Sequence, residues 1–179
     1  MNDLSLHILD VAENSINAGA KNIEIIIDED IENDRLTIEI NDDGKGMDDA
    51  TINKLSDPFF TSRNTRKVGL GIPFLNEAAE NANGNLTISS KSGIGTRIKA
   101  VFQYSHIDRK PVGDTEETLI SLILLANETE FIYKHIKNNK EFDFNTMELK
   151  EQLGIKDLDE PGLLIQLKKI LKQKLLEIQ

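Results

Sequence analysis

The stretch that decides the fold is Asn22-Ile23-Glu24-Ile25-Ile26-Ile27-Asp28 and, after a polar interval, Arg35-Leu36-Thr37-Ile38-Glu39-Ile40-Asn41-Asp42-Asp43-Gly44-Lys45-Gly46-Met47. Ile23, Ile25 and Ile27, then Leu36, Ile38 and Ile40, recur at every second position, the period of a strand with one buried face. The Asp/Glu/Asn-rich residues between the runs have the composition of a turn, so the two runs predict an antiparallel pair. Before the pair, residues 4–18 carry apolar positions at helical spacing and stop at Gly19, which suits a left-handed cap. After it come a short helix ending near Leu55, an aperiodic Pro/Gly/Ser/Thr/Arg-rich segment to Val68 that reads as a loop, and a helix over 71–83. Strands near 85–90 and 96–104 complete an α/β layer.

The order of elements predicts an α+β fold: a two-layer α/β sandwich with a mixed, mostly antiparallel sheet and helices on one face. Residues 105–114, with Pro111 and Gly113, read as a linker that closes a first domain of residues 1–104. Residues 115–179 are expected to form a small, α-rich C-terminal appendage with a helix over 116–126, a strand pair within 130–144, and helices over 146–153 and 161–178. No internal repeat is present.

A chain of 179 residues with 39% hydrophobic content can bury one good core. Its longest apolar runs, such as 119–126, fall far short of the ~20 residues that cross a bilayer, and its N-terminus lacks a basic stretch leading into an apolar one. A cytoplasmic protein without a membrane anchor is expected. No cysteine is present, so a metal would have to sit on oxygen or imidazole ligands, which favours a hard cation such as magnesium. The formal net charge of -10 counts against a nucleic-acid partner, because that affinity comes mostly from Lys and Arg displacing counterions.

Three segments carry candidate chemistry. His7, Asp10, Asn14 and Asn17 follow one another by three or four residues and so share one face of the first helix, opposite Leu4, Ile8, Val11 and Ala12. Solvated helix faces favour Lys, Glu, Arg and Gln, whereas Asp and Asn weaken a helix interior, so short oxygen-bearing side chains here point to a site. The turn Asp42-Asp43-Gly44-Lys45-Gly46-Met47 has two glycines that let the backbone turn sharply against a flat ligand. Val68-Gly69-Leu70-Gly71 leads into a helix whose free N–H groups and dipole favour a phosphate. Neither a P-loop nor a dinucleotide-binding fingerprint is present.

In order and spacing these motifs resemble the GHKL family, the histidine-kinase-like ATPase domain, over roughly residues 4–104. The resemblance implies the Bergerat-type ATP-binding fold, with ATP and Mg2+ as ligands. Glu13 to Ala20 is similar to the family's N box, which implies that Asn14 coordinates magnesium, that Asn17 lies at the same site, and that Asp10 stands where many members carry a water-activating Glu. Residues 42–47 resemble the adenine box, which makes Asp42 the reader of the adenine amino group, with Gly44 and Gly46 beside it and Met47 packed near the ring. Asp57-Pro58-Phe59-Phe60-Thr61 resembles the Pro-Phe-Phe box of histidine kinases, and Val68, Gly69, Leu70 and Gly71 the glycine box that closes over the phosphates. Arg63, Arg66 and Lys67 lie where a lid would offer charge to the phosphates. Ser92-Gly93-Ile94-Gly95-Thr96 resembles the last glycine box, with Thr96 expected to reach the Asp42 network.

Three positions depart from the pattern: Asp10 replaces Glu, Asp43 replaces Asn, and Lys67 replaces the first lid glycine. The shorter Asp10 implies slow hydrolysis, since a misplacement of about 1 Å can cost ~100-fold in rate. The resemblance thus implies kinase-like transfer of the γ-phosphate to a protein acceptor on another chain, since no phosphoacceptor hairpin precedes residue 4. An anti-sigma-type serine kinase and a nucleotide-gated binding module with slow ATPase activity are the alternatives. His7, His106 and His135 are the histidines available as phosphosites. A gyrase-like or MutL-like DNA machine would need a transducer domain longer than the ~75 residues that follow the ATP module. The last helix, with Leu163, Leu164, Leu167, Ile170, Leu171, Leu175 and Ile178 along one face, serves either packing or homodimerisation and partner docking.

Overall fold

The structure, a computed structural model, describes residues 3–55 and 71–178. The deciding stretch forms β1 (Asn22–Asp30) and β2 (Arg35–Asp42), paired antiparallel with Ile23 opposite Asp42 and Asp30 opposite Arg35. Before them α1 (Leu4–Asn17) ends at Ala18, and Gly19 takes the left-handed φ of 78° expected of it. Then come α2 (Asp49–Leu55), α3 (Gly71–Glu80), β3 (Asn85–Lys91) and β4 (Gly95–Gln103). The chain continues as α4 (Thr115–Leu125), β5 (Glu130–Lys137), β6 (Lys140–Asn145), α5 (Thr146–Leu153) and α6 (Pro161–Ile178).

The six strands form one sheet in the order β3-β4-β2-β1-β5-β6. Every pairing is antiparallel except β1 with β5, which run parallel from Asn22 opposite Glu130 to Glu29 opposite Lys137. The C-terminal segment is therefore attached through the sheet itself. A parallel neighbour needs a long crossover, and here residues 31–129 supply it.

On one face of the sheet α1 packs between α3 and α4, and α6 lies beside α4. Leu4, Ile8, Val11 and Ala12 of α1 meet Ile23, Ile25, Ile27, Leu36, Ile38 and Ile40 in the core. The opposite face is a polar ladder: Arg97 Nη2 donates to Glu39 at 2.8 Å, and Asn41 Nδ2 donates to Glu24 at 2.9 Å and to Glu39 at 3.0 Å.

The segment between β4 and α4 is tied down at the start of α1. Leu4 N–H donates to the Pro111 carbonyl at 2.9 Å and Ser5 N–H to that of Val112 at 2.8 Å, satisfying two donors that a helix start leaves open. Asp3 caps the same turn by accepting from Leu6 N–H. The strap thus holds the helix that carries the candidate polar stripe.

Candidate functional site

A cleft of about 370 Å³ opens beside α1, lined by Val11, Asn14, Ser15, Asn17 and Ala18 of that region, Asp42 and 45–48 of the turn, Thr51, Ile72, and Ser92, Thr96 and Ile98. Its size and its mix of apolar wall and a few polar groups suit a small-molecule ligand. Among the candidate residues, it brings together Asn14, Asn17, Asp42, Gly46, Met47 and Thr96.

The Asp42 carboxylate is held from two sides at the wall of the cleft. It ends β2, and its carboxylate accepts the Ser15 hydroxyl at 2.6 Å on Oδ2 and the Gly44 N–H at 2.9 Å on Oδ1. Bonds to a charged acceptor are short and strong, so the carboxylate has one orientation before any ligand arrives. Ser15 lies one residue past Asn14 and is buried, so α1 presents a polar side to the cleft and an anchor to β2 at once. Ser15 is a cleft-lining residue that the helical stripe did not reveal, because it falls off the line joining Asp10, Asn14 and Asn17.

The glycines answer to close approach. Gly95 begins β4 at φ 141°, and a Cβ there would lie 1.9 Å from the Asp42 carbonyl oxygen. At Gly46, with φ 63°, it would lie 2.1 Å from the Lys91 carbonyl oxygen. Both bring the β3–β4 turn hard against the β2 turn. Thr96 stands opposite Asp42 in the ladder, and its hydroxyl lies 2.9 Å from Ser90 Oγ, while Met47 N–H donates to Ser90 Oγ at 2.8 Å. Nothing in the sequence marks Ser90, which lies two residues before the Ser92-Gly93-Ile94-Gly95-Thr96 glycine box. Lys45, Asp48, Thr51 and Ile72 also line the cleft, and as ordinary residues of a turn and two helices they carry no mark in the sequence.

Asp43 turns from the cleft to the start of β1. It accepts Lys21 N–H at 2.7 Å, Asn22 N–H at 2.9 Å and Asn22 Nδ2 at 2.7 Å. Burial raises its carboxyl, but these donors outweigh that and hold it below the usual range. The departure from Asn at this position thus has a local use as a strand clamp.

Asp10 lies one turn before Asn14, packed against the start of α3, where a Cβ on Gly71 would come within 2.7 Å of Asp10 Cβ. It is not among the residues lining the cleft, and burial raises its carboxyl above the ordinary value. His7 leaves the stripe altogether. It is 1% exposed, 3.1 Å from Lys110 Nζ through Nε2, and burial, reinforced by the Lys110 charge, drives it down to about 4. Of the other histidines, His135 is buried against Glu29 at 2.8 Å and Tyr133 at 2.9 Å, and His106 accepts Asp108 N–H. Phe60, Arg63, Arg66, Lys67, Val68, Gly69 and Leu70 lie outside the described residues.

Comparison with known proteins bears on this geometry. Residues 2–106 match the family model described as histidine kinase-, DNA gyrase B-, and HSP90-like ATPase. The sensor histidine kinase YvrG of Bacillus subtilis is 29% identical over 94 residues, covering 50% of this chain and 16% of that protein. The histidine protein kinase SaeS of Staphylococcus epidermidis is 36% identical over 97 residues, covering 51% of this chain and 27% of that protein. The chain thus spans only about a sixth to a quarter of the length of these relatives.

Among solved structures, the N-terminal domain of a DNA repair protein superposes with a TM-score of 0.56 at 18% identity, over 82% of this chain and 53% of that one. The Aquifex aeolicus MutL ATPase domain complexed with ADP does so with a TM-score of 0.50 at 15% identity, over 93% and 70%. These likenesses bear on the α+β fold, which has the mixed sheet and helical face expected. No helix among the described residues is long and apolar enough to cross a membrane. With more than half of its length matched to the family model, the chain belongs to the histidine kinase-, DNA gyrase B- and HSP90-like ATPases.

Proposed function

We propose that this chain binds Mg-ATP in the cleft beside α1 and passes the γ-phosphate to a protein acceptor on another chain. The observation that carries the reading is the Asp42 carboxylate, fixed by Ser15 and Gly44 at the wall of the cleft, where it would accept the adenine amino group. Asn17, Met47 and Thr96 line the same space and would bound the base and sugar. Gly71 opens α3, where the N–H groups and dipole of a helix start would favour a phosphate, and Val68, Gly69 and Leu70 precede it in the sequence. Phe60, Arg63, Arg66 and Lys67 belong to the segment that would close over the phosphates.

The donor set suits magnesium. Among the described residues no three His, Asp or Glu side chains form a metal cage, and this ion characteristically relies on phosphates, waters and one or two protein oxygens. Asn14 would supply such an oxygen from the cleft wall. When bound, the ion would neutralise charge on the phosphates, and the protein's own part is to hold the base and orient the chain of phosphates. Transfer breaks the bond between the γ-phosphorus and the bridging oxygen and leaves ADP, while the acceptor nucleophile gains the phosphoryl group.

Asp10 supports a second reading, a nucleotide-gated binding module with slow ATPase activity. It stands off the cleft lining, against Gly71, and its raised carboxyl is that of a group reluctant to ionise. As a catalytic residue it would take a proton from water only after a shift toward the phosphates.

Incubation with γ-labelled ATP, alone and with candidate partner proteins, tests the proposal. Label on a partner supports transfer, and its loss in acid distinguishes phosphohistidine from the acid-stable phosphoserine of an anti-sigma-type kinase. Free phosphate supports an ATPase, and tight binding with neither product supports the gated module. Failure of ATP to bind at all removes every form of the proposal.

A further inference from the structure

Residues 18–22, which join α1 to β1, lie between the turn that ends β2 and the start of β5, and two of their peptide units are held at both ends. In the Ala20–Lys21 unit the carbonyl accepts the buried Thr129 hydroxyl at 3.0 Å, and the N–H donates to the Asp43 carboxylate at 2.7 Å. In the next unit the Lys21 carbonyl accepts Glu130 N–H at 2.8 Å, and Asn22 N–H donates to the same Asp43 oxygen at 2.9 Å. A peptide unit is planar and stiff, so it cannot turn at one end without disturbing the bond at the other.

The C-terminal segment is thereby tied to the wall of the cleft. Asp43 stands next to Asp42, and the turn they open also rests on residue 18: Lys45 N–H donates to the Ala18 carbonyl at 3.0 Å, and a Cβ on Gly44 would come within 3.1 Å of Ala18 Cβ. Asp42, Gly46 and Met47 of this turn line the cleft, as does Ala18. Neither Thr129 nor Asp43 is among the described residues lining it, so whatever they do to a ligand travels through the turn.

We propose that Thr129 is a positioning residue for the nucleotide: through the Ala20–Lys21 peptide and Asp43 it fixes the turn at residues 42–47, so the C-terminal segment sets how firmly the cleft holds its ligand. Coupling between two places is reciprocal, so a bound nucleotide also tightens the start of β5 against β1. This role rests on the nucleotide reading above and deepens it.

Calorimetric titration of the full chain with ATP tests it. Thr129→Val keeps the shape of the side chain but removes the hydroxyl, and should weaken ATP about threefold or more, the worth of one neutral hydrogen bond. Thr129→Ser keeps the hydroxyl and should restore the affinity. Asp43→Ala should weaken ATP as well, and in that background Thr129→Val should cost less than about twofold, because the link it acts through is already cut. In the unaltered protein, saturating ATP should slow amide exchange at Lys21 and Glu130 about threefold more than at Ile136, farther along β5, which separates a local tightening from a general gain in stability. Full affinity in Thr129→Val, no recovery in Thr129→Ser, additive losses in the double variant, or equal slowing at all three amides overturns the role of Thr129 while ATP binding stands. Should Thr129→Val not fold, the exchange measurement on the unaltered chain decides. If ATP does not bind the unaltered chain, the nucleotide reading fails and this role falls with it.

Discussion

At the scale of single residues, the wall of the cleft is a set of hydrogen bonds made in advance. Removing the Ser15 hydroxyl frees the Asp42 carboxylate to turn, so Ser15→Ala should weaken ATP binding about 5- to 30-fold in calorimetry, the worth of one charge-assisted bond. Gly95→Ala should lower stability by about 3 kcal/mol or more, since its Cβ would lie 1.9 Å from a carbonyl oxygen. Gly93→Ala, with a φ of 76° but nothing within 4 Å, should cost only about 1–2 kcal/mol in the same urea titrations. His7 sets a pH dependence. With its folded pKa near 4 and its free value at 6.5, the unfolded chain binds the proton first as pH falls, so stability declines from about pH 6.5 and this contribution levels off near 4. The loss should reach about 2–3 kcal/mol, and His7→Gln should flatten that window. Glu29, Glu39 and Asp43, all held below their usual range by their donors, add further losses only at lower pH. Asp42 and the glycines could be read from the sequence because a run of special residues has few uses. Ser15 and Ser90 could not, because a serine becomes informative only when its partners from distant strands are known.

At the scale of elements, the helix and strand periods were legible, since burial on one face leaves its mark in each element's own residues. The helices at 146–153 and 161–178 fall where expected, the first marked by its Asn145 cap and by Gly154 at φ 66°. In α6 the structure separates residues that the apolar pattern had grouped. Leu164, Leu167, Leu171, Leu175 and Ile178 are buried, whereas Ile170 is 56% exposed. A pattern of leucines every three or four residues fixes a stripe but not its width, because neighbours such as α4, β5 and β6 decide how much is covered. Leu171→Ala should therefore cost about 2–4 kcal/mol, and Ile165→Ala, 59% exposed, less than about 0.5 kcal/mol in the same denaturation experiment. A loss of similar size for both would mean that the outer face of α6 is packed as well.

At the scale of the whole molecule, the parallel β1–β5 pairing lay beyond what local patterns hold. Alternation reports that a strand has one buried face, but not which strand lies beside it when the partner is a hundred residues away. Buried polar groups strengthen that joint: Glu29 of β1 meets His135 and Lys137 of β5, and Tyr104 donates to it at 3.1 Å. Truncation after Asp108 would strip β5 from β1, α4 from α1 and the Pro111 and Val112 carbonyls from the first turn of α1. The shortened chain should lose cooperative thermal unfolding and associate through the bared edge of β1, which light scattering would detect. A truncated chain that stays monomeric and melts sharply would show that the first 108 residues fold by themselves. The same pairing also governs how the molecule comes into being. Because β1 is made early and its parallel neighbour late, the middle of the sheet cannot close while the ribosome is still delivering the intervening residues, and the nascent first half must wait with an open edge. Such long-range closure slows folding and favours misassembly, so the rate-limiting event in reaching the native state should be the arrival of β5 rather than formation of the β1–β2 hairpin.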